Sequence, residues 1–112
     1  MDVTTTREGL NLIVSVGGRV DGANATEFQA ALESAIQPDD HGVVMDMGNL
    51  RYISSAGLDV ILSVAKAVRK QNAKLVGCSL SGSVREVFAI SGFDRIVPIC
   101  DSQADALQAL DD

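Results

Sequence analysis

Between Leu10 and Val16 the chain alternates. Leu10, Leu12, Val14 and Val16 fall two apart, with polar or small residues between them except at Ile13, which predicts a strand with one face on a core. Gly17-Gly18 follows as turn chemistry before Arg19 and Val20, so this strand is expected to be one half of a hairpin. From Asn24 the period changes: Ala25, Phe28, Leu32, Ala35 and Ile36 recur three or four apart, and Asn24 with Glu27 has the form of a capping box. That spacing predicts a helix to about Ile36, stopping before Pro38. Val43 to Met47 is a short apolar run broken by Gly48-Asn49 and reads as a buried strand. After Ser54-Ser55-Ala56-Gly57, the stripe Leu58, Ile61, Leu62, Ala65 and Val68 predicts an amphipathic helix with Asp59, Lys66 and Lys70 off the stripe. Leu75 to Cys78 predicts another strand, and Ser83 with Glu86 a second capping box opening a short helix that ends near Gly92. Ile96 to Cys100 supplies a last strand, and Ser102 with Asp105 opens a final helix carrying Leu107 and Leu110.

The order is strand, strand, helix, then three strand-helix repeats. Crossover helices between strands favour parallel pairing, so the pattern predicts an α/β fold: a mostly parallel open sheet of about five strands with about four helices. Residues 1–112 are expected to form one domain, with fraying confined to the first few residues and to Asp111-Asp112.

Charge narrows the partners. The 15 acidic residues against 9 basic ones give a net charge of −6, and no basic run follows a phosphate backbone, so nucleic acid is a poor partner. The longest aliphatic stretch, near Val60 to Val68, is interrupted by Ser63 and Lys66, so no membrane insertion is expected. Met1-Asp2-Val3 lacks the basic start and apolar core of a secretory signal, which points to a cytoplasmic address.

Few residues offer chemistry. Cys78 and Cys100 lack the paired spacing of a zinc site and read as small buried hydrophobes, and a cytosolic chain of this size needs no disulfide. His41 is the only histidine and reads as a loop residue. Asp39-Asp40 and Asp111-Asp112 read as solvated charge in a loop and at a terminus. No dinucleotide fingerprint or phosphate loop is present: Gly77 and Gly82 have the outer spacing of the latter, but Ser83-Val84 follows where its lysine belongs. No cofactor is expected, no metal site, and no enzyme activity, because Ser55 as a nucleophile would lack a positioned base.

The segment Tyr52-Ile53-Ser54-Ser55-Ala56-Gly57-Leu58 is different. It lies where a strand gives way to the best-signalled helix, so Ser54 or Ser55 is expected at the N-cap and Ser55 at an exposed helix tip. The helix dipole favours negative charge there by ~0.3–1 kcal/mol, and a phosphoserine would bring about −1.5 to −2 charges. Either both serines are only caps, or one is a charge switch.

Val43-Val44-Met45-Asp46-Met47, then Leu50, then Tyr52 through Leu58 resembles the signature of STAS-domain anti-sigma-factor antagonists. Gly18-Arg19-Val20-Asp21 with Asn24-Ala25, Leu75-Val76-Gly77, Val84 through Phe88, Ser91-Gly92-Phe93 and Ala106-Leu107 fall in the family's order and approximate spacing. The resemblance implies a single STAS domain and a partner switch. The unphosphorylated antagonist binds an anti-sigma factor that is itself a serine kinase of the GHKL type, freeing the sigma factor; phosphorylation ends binding, and a PP2C-type serine phosphatase restores it. The family's phosphorylated serine falls on Ser55, with Ser54 as the alternative acceptor, since Ser54 stands where many members carry an acidic residue. Asp21 matches a family position on the partner-binding surface, and Asn24, Ser54, Gly57 and Asp59 are expected around the switch. A second implication keeps the fold and makes the chain a constitutive STAS subunit of a larger assembly, such as a lipid-transport ABC system.

Overall fold

The alternation after Leu10 does form a strand, and it runs past the glycines expected to end it. The computed structural model describes residues 1–111. In it β1 (Asp2–Glu8) and β2 (Asn11–Val20) are the antiparallel pair, with Glu8 opposite Asn11, so the hairpin turn is Gly9-Leu10 and not Gly17-Gly18. The latter two lie inside β2, where the register against the next strand shifts between Ser15 and Gly17 and again between Gly18 and Arg19. Gly18 has φ +84°, a left-handed backbone that glycine adopts without strain, so the pair makes a bulge rather than a reversal. The N-terminal segment, expected to fray, is instead the edge strand β1: its polar residues carry no hydrophobic signal, and pairing with β2 orders it.

The chain continues as α1 (Ala25–Ala35), β3 (Gly42–Ile53), α2 (Ser55–Lys70), β4 (Lys74–Cys78), α3 (Gly82–Ser91), a 3-10 turn at Phe93–Arg95, β5 (Ile99–Cys100) and α4 (Gln103–Asp111). Strand order in the sheet is the sequence order, with β2 through β5 parallel, giving the α/β fold of five strands and four α-helices that the pattern predicts. Gly48-Asn49 does not break β3, which absorbs the irregularity and runs on to Ile53. The last strand is shorter than expected. Phe93–Arg95 coils and Pro98 has no N–H to give, leaving only Ile99 and Cys100 paired to β4. Asp111 is the last residue of α4, and the expectation for Asp112 lies outside the described residues.

Because each crossover steps to the adjacent strand in one direction, the connecting helices gather on one face. Phe28 and Leu32 of α1, the buried stripe of α2, and Val84 and Phe88 of α3 pack there against Leu12, Val14, Val16, Val43 and Met45. Ile13, the exception to the alternation, faces the other side, where it joins Val44, Val76, Cys78 and Ala106 of α4. On α2 the core stripe is shifted from the expected one, with Val60 and Val64 buried and Leu62 half-buried. Phe88 meets Phe93 edge to face, ring centroids 6.4 Å apart.

Two cap expectations and one charge expectation are corrected. The N-cap of α3 is Ser81, whose Oγ accepts from the N–H of Val84, so the helix starts ahead of Ser83. Asn24 occupies the N-cap of α1 but gives that helix no side-chain cap. Asp40 is buried, ion-paired to Arg7 and accepting from the N–H of Gln37 at 2.7 Å, which fastens β1 to the loop between α1 and β3. Ser102 does cap α4, accepting from the N–H of Asp105 at 3.1 Å.

Candidate functional site

The carboxyl ends of β2 and β3 finish side by side. Val20 is in register with Ile53, and the N–H of Ser54 donates to the carbonyl of Val20 at 2.9 Å, so Asp21 and Ser54 leave the sheet together. Crevices outside the carboxyl ends of parallel strands are the usual functional position in such sheets.

Ser54 takes the N-cap of α2. Its backbone is extended (φ −88°, ψ 174°), and its Oγ accepts from the N–H of Gly57 at 3.4 Å. Ser55 is the first helical residue and is exposed, and among the described residues its hydroxyl has no hydrogen-bond partner. The two adjacent serines therefore differ in kind: one oxygen is turned into the helix as a cap, the other is presented to solvent. Ser54→Ala is expected to cost about 1 kcal/mol, read as a lower urea midpoint, because only the cap is lost.

Gly57 sets how close the helix comes. A Cβ there would lie 2.7 Å from Cγ1 of Ile53 and 2.8 Å from Cγ1 of Val20, so a hydrogen at this position lets the first turn of α2 rest on the two strand ends. The Ser-Ala-Gly spacing is thus a packing requirement as well as a motif.

Asp21 and Asn24 tie the neighbouring loop. The Oδ1 of Asp21 accepts from the N–H of Ala23 at 2.9 Å, the Oδ1 of Asn24 accepts from the N–H of Asp21 at 2.9 Å, and the Nδ2 of Asn24 donates to the carbonyl of Arg19 at 2.9 Å. Asn24, expected as half of a capping box, spends its side chain on this loop instead. Asp59 is exposed one turn along α2 from Ser55, on the same side of the helix. The expected residues thus gather at one rim of the sheet, Gly57 beneath the surface and the others at or near it.

Sequence reasoning missed one feature of this rim. The guanidinium of Arg19 lies 4.5 Å from the ring centroid of Tyr52, its register partner across β2 and β3. Both are exposed, next to the two loops that carry Asp21 and Ser55. Only the parallel register with its bulges places them together.

Elsewhere the surface offers less. A groove of about 820 Å3 lined by Asp2, Ser15, Gly17, Gly48, Arg51 and Ser83 includes none of these residues. Among the described residues no three His, Cys, Asp or Glu side chains are grouped to hold a metal ion, and no helix is long and apolar enough to cross a membrane. His41 is an exposed loop residue, as expected.

Comparison with known proteins gives the fold a family. The model of the STAS domain matches residues 2–106. BtrV of Bordetella bronchiseptica, described provisionally as an anti-sigma factor antagonist, is 46% identical over 98 residues, covering 88% of this chain and 84% of its own. The crystal structure of an anti-sigma factor antagonist from Mycobacterium paratuberculosis superposes with TM-score 0.90 at 20% identity, covering 99% of this chain and 94% of that one. SpoIIAA of Bacillus superposes in its unphosphorylated form with TM-score 0.79 at 18% identity, covering 98% and 96% of the two chains. Its phosphorylated form gives 0.73 at 15% identity, covering 97% and 99%. The structural likenesses are likenesses of fold; with the family model spanning residues 2–106 and a relative at 46% identity, this chain belongs to the STAS domain family.

Proposed function

We propose that this chain, acting as one STAS domain over residues 1–112 in the cytoplasm, is a phosphorylation-controlled anti-sigma-factor antagonist without catalysis of its own. Unphosphorylated, it binds an anti-sigma factor that is a GHKL-type serine kinase and so frees the sigma factor. Transfer of phosphate to Ser55 ends that binding, and a PP2C-type phosphatase reverses it. The observation that carries the reading is the exposed hydroxyl of Ser55 on the first residue of α2, beside the loop of Asp21. A phosphate there meets the positive end of the helix, so the fold tolerates it. A partner surface that has closed over an uncharged serine must instead desolvate about two negative charges next to Asp21 and Asp59. BtrV and the Mycobacterium protein support the antagonist role by their descriptions, and SpoIIAA supports a phosphorylated state by having one.

The chain is used as bait in host lysate with ADP present, and the captured kinase is then given ATP. A GHKL-type kinase that binds the wild type, labels it on Ser55 and leaves Ser55→Ala unlabelled is the expected result. Label on Ser54 in the wild type would move the switch by one residue. A partner that stays bound in ATP with neither serine labelled would overturn the reading.

A further inference from the structure

Cys78 ends β4 and Cys100 ends β5, and the two are register partners. Both are free thiols, Cys78 buried and Cys100 half-buried, and both pack in the same apolar cluster under α4. Adjacent strands hold paired residues about 4.8 Å apart, inside the ~4.4–6.8 Å between Cα atoms that a disulfide spans. In a parallel pair the side chains stand side by side, so closing the bond requires one strand to tilt. β5 is suited to that: it is two residues long, follows Pro98, and is held to β4 by the N–H of Gly77 donating to Pro98 and the N–H of Ser79 donating to Cys100.

We propose that Cys78 and Cys100 form a peroxide-sensitive dithiol, a two-cysteine modification site that closes to a disulfide between β4 and β5. Cys100, the half-buried residue of the two, is the one a hydroperoxide reaches. Cys100 as thiolate attacks the peroxide, the O–O bond breaks, and a sulfenic acid forms as alcohol or water leaves. The sulfur of Cys78 then attacks that of Cys100, an S–S bond replaces the S–O bond, and the departing hydroxide takes the Cys78 proton as water. Two electrons pass from the thiols to the peroxide. Burial above all pushes the Cys78 thiol up, a hydrogen bond with Ser79 works against it, and the charges of Asp46 and Cys100 add to the rise, so Cys78 rests as the thiol and the first attack on peroxide falls to Cys100. The pair is independent of the reading of Ser55.

Reduced, full-length protein is treated with hydrogen peroxide, alkylated after denaturation and digested with trypsin. Peptides 75–85 and 96–112 contain these two cysteines and no methionine, so oxidation elsewhere does not obscure them. The expected result is a linked pair of these peptides, lighter by about 2 Da than their sum, restored by dithiothreitol, and formed roughly tenfold or more faster in folded protein than in urea. Cys78→Ala is expected to stop at sulfenic acid on Cys100, trapped by dimedone, while Cys100→Ser leaves Cys78 a thiol. Both peptides remaining alkylated and unlinked, linkage no faster than in urea, or bonds only between two copies through Cys100 would each overturn the proposal.

Discussion

Aspartate in place of Ser55 is expected to weaken binding to the proposed kinase partner by roughly thirtyfold or more, about 2 kcal/mol, while leaving the fold intact. The size follows from burying an unpaired carboxylate in the proposed interface, where Asp21 and Asp59 flank Ser55, on a chain with a net charge of −6. The fold is spared because a negative group at the first residue of α2 sits at the favourable end of the helix. Two neighbouring variants separate charge from shape. Ser55→Ala removes the acceptor and keeps binding within about threefold, since a single exposed hydroxyl contributes little. Ser54→Asp puts the same charge one residue earlier, where it replaces a serine cap with an equally good one. Titration calorimetry on the three variants reads the difference. Equal affinities for wild type and Ser55→Asp, with unchanged melting curves, would remove the charge switch.

Gly57→Val is expected to lower stability by about 1–3 kcal/mol and to weaken partner binding even when the variant is folded. The added Cβ falls 2.7 Å from Ile53 and 2.8 Å from Val20, both buried at the strand ends, so the first turn of α2 must lift. Lifting it tilts Ser55 away from the Asp21 loop and strains the hydrogen bond from the N–H of Ser54 to Val20. Urea unfolding checks the first effect, and affinity measured well below the unfolding transition checks the second. A variant with lowered stability and wild-type affinity would mean that the height of the helix does not position the switch.

Much of the fold was legible because its signals are local and one-sided. The alternation at Leu12, Val14 and Val16 and the apolar stripe of α2 report burial directly, and Ser54 and Ser55 fall at a helix start that caps by short-range chemistry. What was hidden depends on a partner strand. Gly17-Gly18 and Gly48-Asn49 carry the same glycine signal as a turn, and whether such a pair reverses the chain or bulges within it is decided by the strand alongside. β1 carries almost no apolar signal, being ordered by pairing to β2 and by Arg7 reaching Asp40. At the site, Ser55 and Gly57 follow from adjacent sequence. The work of Asn24 in the Asp21 loop and the stacking of Arg19 on Tyr52 do not, since each joins residues through tertiary placement.

The consecutive strand order gives the molecule an electrical direction. With β2 through β5 parallel and a helix returning after each, α1 to α4 all begin at the rim where the strands end. Each helix start carries roughly half a positive charge from its peptide dipoles, so about two positive charges are gathered along the edge that bears Ser55, on a chain whose side chains sum to −6. A phosphate added there is held against a backbone field of the opposite sign, while the same phosphate on the far rim would face the negative ends of all four helices. The scaffold itself thus sets which edge of the domain can carry a negative mark.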